Sequence, residues 1–138
     1  MSQLTENENK IGLAFPLQLQ QEQQEDGSVI TTLMTCSYEE HIKQSLRTLL
    51  LTARGERVMR PEFGNSLGAY LFENIGTTTA SLIKHEVIST VERYEPRIEL
   101  TDVHVHSSAQ DPGVLSLELV YTINSTAAPD RLSLNIRR

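Results

Sequence analysis

Apolar residues alternate with polar ones towards both ends of the chain and recur every three or four residues in its middle. This change of period divides it into strands, then helices, then strands. From Ile11 to Gln20, Leu13, Phe15, Leu17 and Leu19 occupy alternate positions, which puts them on one face of a strand. Pro16 falls on the other face and favours an edge, because proline has no N–H to give to a ladder. Gln20 to Glu25 is polar and reads as a solvated loop or strand end. Asp26-Gly27 supplies the positive backbone angles of a tight turn. Ser28 to Thr35, with Val29, Ile30 and Leu33, is the expected return strand.

The period then lengthens. Ser37 followed by Glu40 is a capping-box pattern. Tyr38, Ile42, Leu46, Leu49, Leu50 and Ala53 follow it at helical spacing, and Gly55 is the expected stop. Glu56 to Arg60 is expected to be short and extended, because Pro61 disfavours helical geometry in the residue before it. Asn65 or Ser66 is placed to cap a short helix containing Leu67, Tyr70, Leu71 and Phe72, which Gly76 breaks. The run Thr77-Thr78-Thr79 offers the next N-cap. Ala80, Ile83, Val87, Val91 and Tyr94 make an amphipathic helix that Pro96 ends.

Alternation returns after Pro96. Ile98, Leu100, Val103 and Val105 mark one strand, and Asp111-Pro112-Gly113 a turn. Val114 to Ile123 alternates throughout, and a loop containing Pro129 is expected next. The last strand carries Leu132, Leu134 and Ile136 between polar residues. The order β-β-α-α-α-β-β-β implies a small single α+β domain, an antiparallel or mixed sheet with about three helices. Its expected divisions are a flexible N-terminus over 1–10, the domain body over 11–130 and a C-terminal strand over 131–138. That strand reads either as an ordinary sheet strand or as an edge available to another chain.

Composition narrows the chemistry. A chain of 138 residues suits one domain whose core needs neither disulfide nor metal. Trp is absent, so Leu, Ile and Val must supply that core with a few Tyr and Phe. A net charge of −6 argues against a general nucleic-acid binder, which needs a basic surface. Cys36 is the only cysteine, which fits folding in a reducing cytoplasm. The N-terminus has no apolar signal core, and no apolar run approaches the roughly 20 residues of a membrane span. A soluble chain, with no direct membrane contact, is expected.

Catalytic constellations are weak. Glu56, Glu62, Glu73, Glu95 and Glu99 lie in or near the central stretch, but Glu56 and Glu95 each sit beside arginines. Nearby positive charge lowers a carboxylate pKa, the wrong direction for a general acid. Cys36 and His41 have no third group to complete a nucleophilic site. His104 and His106 share a strand face without further ligands at metal spacing. No catalytic residue, cofactor or metal is expected. Arg54, Arg57, Arg60, Arg93 and Arg97 are instead expected to face one region, where arginines pair with carboxylates or specify a partner.

Three stretches carry a resemblance. They are Thr52-x-x-Gly55-Glu56-Arg57-x-Met59-x-Pro61-x-Phe63-Gly64, then Leu71-Phe72-Glu73, then Glu95-Pro96-Arg97-Ile98. Together they resemble the baseplate wedge family of contractile injection machines, often labelled tail lysozyme-like, over roughly residues 11–123. That family includes the sheath-initiating baseplate protein of contractile phages and its counterparts in type VI secretion, R-type pyocins and extracellular phage-tail-like particles. The resemblance implies a structural protein, present in multiple copies in a symmetric assembly. It implies assembly in the cytoplasm, and then incorporation into a phage, an extracellular particle or a cell-bound system. The implied partners are the sheath protein, the large wedge proteins, and inner tube or hub proteins. Glu95, Pro96 and Arg97, with Arg57 and Arg60, would dock in the wedge, and Leu132, Leu134 and Ile136 would join sheath strands. The competing expectation is a tail-associated peptidoglycan hydrolase.

Overall fold

The computed structural model describes residues 10–73, 75–107, 111 and 113–137. The chain forms two compact units, Met1–Gln44 and Ser45–Arg138. Both are built from antiparallel strands and helices, an α+β fold as the periodicity predicts.

In the first unit, β1 (Lys10–Leu13) pairs with β4 (Thr35–Ser37), and β2 (Leu19–Gln23) pairs with β3 (Val29–Leu33). The single strand expected from Ile11 to Gln20 is therefore two. The ladder stops before Pro16, which has no N–H to extend it, and Phe15 to Gln18 form an irregular link. The return strand is divided in the same way, at Met34. Ala14 N–H donates to Met34 O, and Met34 N–H donates to Gln18 O, both at 2.9 Å. The Asp26-Gly27 turn forms as expected. Gly27 N–H donates to Gln24 O, and Gly27 has φ +84°, the left-handed geometry of a bulged hairpin turn. The alternating apolar face is not buried: Leu13, Phe15, Leu17 and Leu19 are all exposed.

Helix α1 (Tyr38–Leu51) begins with the predicted capping box. Ser37 N–H donates to Glu40 Oε2, and Glu40 N–H donates to Ser37 Oγ, each at 3.3 Å. Ile42, Leu46, Leu49 and Leu50 are its buried stripe. The helix ends at Leu51, not at Gly55. Glu56 to Arg60 is a series of turns and not extended, with Glu56 N–H bonded to Ala53 O and Gly55 N–H to Pro61 O.

The second unit continues with a 3-10 helix (Leu67–Phe72) and α2 (Thr77–Tyr94). Gly76, not a threonine, occupies the N-cap of α2, and Thr77 to Thr79 form its first turn. Ile83, Val87, Thr90 and Val91 are buried on one side of α2, which packs against β5 (Ile98–Ser107). The sheet order is β5, β6 (Val114–Ile123), β7 (Ala128–Arg137). Pro129 lies inside β7, opposite Thr122, where a loop was expected. An edge strand tolerates it because one side of its ladder has no partner to receive an N–H. A register irregularity between Leu100 and Asp102 changes the phase of β5: Ile98 is buried before it and Val103 after it. Every second residue of β6, from Leu115 to Ile123, is buried, and Leu132 and Leu134 of β7 complete that layer. Each such leucine contributes roughly 1.5–3 kcal/mol of burial.

Candidate docking site

Between α1 and the 3-10 helix the chain makes a loop closed at its base. Arg54 N–H donates to Asn65 O at 2.9 Å, and Asn65 N–H donates to Thr52 O at 3.1 Å. Gly64 permits this close approach, since a Cβ there would lie 2.4 Å from Thr52 O, and its φ of +107° suits glycine alone. The Asn65 side chain, 4% exposed, locks the base. Its Nδ2 donates to Leu49 O (3.0 Å) and Leu50 O (2.7 Å), carbonyls of the last turn of α1, and to Thr52 O (3.2 Å) just beyond it. Its Oδ1 accepts from Leu67 N–H at 2.9 Å and so starts the 3-10 helix. One amide ends one helix and begins the next.

The loop's far side leans on the end of α2. The Arg57 guanidinium lies 4.1 Å over the Phe63 ring. Phe63 meets Tyr94 edge to face at 5.1 Å, and the Arg93 guanidinium lies 5.3 Å from the Tyr94 ring. Tyr94 O–H donates to Glu62 O at 2.6 Å. Arg54 reaches Glu86 of α2 at 3.4 Å, and the same carboxylate oxygen accepts from Ser66 N–H at 3.0 Å. The structure thus brings Arg54, Arg57 and Arg93 to the contacts between this loop and α2. At the tip, Val58 and Met59 are 94% and 91% exposed, with Arg57 and Arg60 exposed beside them.

Arg97 belongs to a separate pair. Glu95 is 2% exposed, and Arg97 holds both its oxygens, Nε to Oε1 at 2.5 Å and the second bond to Oε2 at 2.7 Å. Burial alone would raise the Glu95 pKa, but the hydrogen bonds from Arg97 and Ser45 and the Arg97 charge outweigh it and hold the carboxyl below its ordinary range. A carboxylate so held is no general acid. Asn124 closes the corner, its Nδ2 donating to Pro96 O at 3.0 Å and its N–H to Arg97 O at 2.9 Å. Of the three residues, Pro96 is exposed, Arg97 partly so, and Glu95 not.

In β7, Leu132 and Leu134 are buried and Ile136 half-buried, paired with Leu119, Leu117 and Leu115 of β6. Their side chains serve this chain's own core. Arg131, Ser133, Asn135 and Arg137 are exposed on the opposite face of the sheet, and among the described residues no strand pairs with the outer edge of β7. Elsewhere, Cys36 is buried, and its thiol lies 3.6 Å from Leu13 O. His104 and His106 stack at 6.3 Å, and Asp102 beside them is taken by Lys84 at 2.6 Å. Among the described residues no cluster of His, Cys, Asp and Glu could hold a metal, and no helix is long and apolar enough to cross a membrane. The sequence reading missed Asn65, Phe63 and Tyr94 as the parts that position the arginines. Only the adjacent Gly64-Asn65 pair hinted at the loop base.

Residues 36–128 match the family model GPW_gp25, baseplate wedge protein gp25. Baseplate protein W of Escherichia phage P2 is 32% identical over 111 residues, 80% of this chain and 88% of that protein. Baseplate wedge protein gp25 of Enterobacteria phage T4 is 42% identical over 64 residues, 46% of this chain, and the match spans only 48% of that relative. A crystal structure from Geobacter sulfurreducens, named as a candidate tail lysozyme, aligns with TM-score 0.70 and 39% identity over 77% of this chain and 96% of its own. A chain in the six-fold symmetrised cryo-EM structure of the anti-feeding prophage baseplate aligns with TM-score 0.63 and 29% identity, covering 81% of this chain and 83% of that one.

Proposed function

Because the chain belongs to the gp25 baseplate wedge family of contractile tails, we propose that it docks in the wedge beside the inner tube and starts sheath polymerisation by strand addition. It is a structural component of a phage or phage-tail-like baseplate. The observation that carries the sheath step is β7. It is held to β6 by ten register pairs from Ala128 to Arg137, and among the described residues its other edge has no strand beside it. A sheath strand added there gains main-chain hydrogen bonds on a template that its own core already anchors. Wedge docking is assigned to Arg57, Arg60, Pro96 and Arg97, which are exposed or partly exposed. Glu95 acts by fixing Arg97. Assembly in the cytoplasm and incorporation with sheath, large wedge, and tube or hub proteins follow from this role.

Truncation after Asn135 tests the sheath step. It removes Ile136, Arg137 and Arg138 and keeps buried Leu132 and Leu134. The expected result is a folded chain in baseplates that carry no sheath, read by thermal unfolding and electron microscopy. Full sheaths on truncated baseplates would overturn strand addition.

A further inference from the structure

The β2–β3 hairpin is acidic at its tip and carries exposed Leu19, Val29 and Leu33 on one face, interspersed with Gln21, Gln23 and Thr31. Every residue from Phe15 to Thr35 is exposed. Leu19 and Leu33 face each other across the ladder at 68% and 45% exposure. Val29, 57% exposed, lies on the same face of β3 as Leu33. Two strands alone are marginally stable in water, and exposed apolar groups of this kind are characteristic of contact surfaces.

Charge selects the kind of contact. From Ile11 to Ile42 the sequence has no Lys or Arg, while Glu22, Glu25 and Asp26 cluster at the hairpin tip. Ser28 holds the Asp26 carboxylate in its charged form, Oγ donating at 2.5 Å and N–H at 2.9 Å. A tip of three carboxylates repels nucleic-acid phosphates and anionic lipid alike. It complements a protein surface whose apolar groove is rimmed by lysine or arginine.

We propose that the β2–β3 hairpin is a docking arm that seats in an apolar groove, rimmed by Lys or Arg, on a second protein of the assembly. Its residues are other than those of the β7 edge and the Glu95–Arg97 corner. The proposal takes from the family only that assembly partners exist, so it stands or falls independently of sheath initiation.

The test uses the full chain in cells that produce the particle, with Leu19 replaced by the photoreactive p-benzoylphenylalanine. Cross-linked peptides are mapped by mass spectrometry after irradiation, before any particle is purified. The expected product joins the hairpin to one apolar segment of a different protein, with Lys or Arg beside it. Glu22→Lys with Asp26→Lys should cut that cross-link about tenfold or more, equivalent to about 1.4 kcal/mol. Both residues are exposed, but Asp26→Lys also removes the turn bonds from Ser28, so Glu22→Lys alone, which keeps them, should weaken the cross-link in the same direction with thermal unfolding unchanged. Cross-links within the same chain, to a second copy, or to a partner segment without basic residues overturn the proposal. A yield indifferent to the Glu22 and Asp26 charges does so too. Because the readout precedes sheath assembly, a failed sheath test leaves this one standing.

Discussion

Glu95 is nearly sealed from water, and its negative charge is tolerated because Arg97 grips both oxygens and Ser45 adds a third bond. Breaking a buried pair by removing one charge costs more than the pair itself contributes, because the other charge is stranded. Glu95→Gln is therefore expected to lose about 3 kcal/mol of stability near neutral pH, measured by denaturant unfolding. The pH dependence has a definite sign. The folded-state pKa lies below the unfolded value of about 4.3, so the stabilisation is complete above that value and declines as pH falls through the folded pKa. The variant should lack this acid-side decline, and an unchanged acid limb would remove the pairing argument. Adjacent arginines made the pairing legible in the sequence, but burial was not, because it depends on how α2 turns into β5. Asn65 was visible only as one of two possible caps. Its bonds to carbonyls in and just beyond the last turn of α1 join residues thirteen to sixteen positions apart, a separation that local pattern does not report.

At the scale of elements, the helical stripes and β6 were legible because each buries one clean face, whereas the irregularity in β5 shifts its buried face between Ile98 and Val103. The capping box, the Asp26-Gly27 turn and the span of β6 follow from local chemistry alone. The failures share a cause. Gly55 and the threonines at 77–79 have the right chemistry for caps, but the chain ends and begins its helices where Asn65 and Gly76 place them. The 54–64 loop is predicted to act by contact, not by support of the fold. Arg57→Ala with Arg60→Ala removes exposed side chains, so unfolding should shift by no more than about 1 kcal/mol, mainly the cation–π contact of Arg57 with Phe63. Wedge complexes should nevertheless fail to form, as read by size-exclusion chromatography of the co-expressed proteins. Intact wedges would take the docking role from this loop.

For the whole molecule, Leu13, Phe15, Leu17 and Leu19 and the apolar residues of β6 have the same alternation but opposite fates. The first set is exposed and the second buried, and alternation cannot tell them apart because it marks a face without saying what covers it. The two units should therefore differ in how easily they open. Amide exchange in β2 and β3 should be complete long before exchange in β6, whose neighbours shield it on both sides. Equal protection would mean that the hairpin is covered in the free chain.

The loop from Arg54 to Gly64 has one more consequence. Its two ends are clasped by backbone bonds and by Asn65, so the core never senses what its tip contains. Loop length costs little once the ends are held, roughly 0.6 kcal/mol for each doubling. The tip at Val58 and Met59 is thus a socket into which foreign peptide can be grafted. A lineage, or an engineer, can rewrite what the protein recognises there while the scaffold that carries it goes on folding as before.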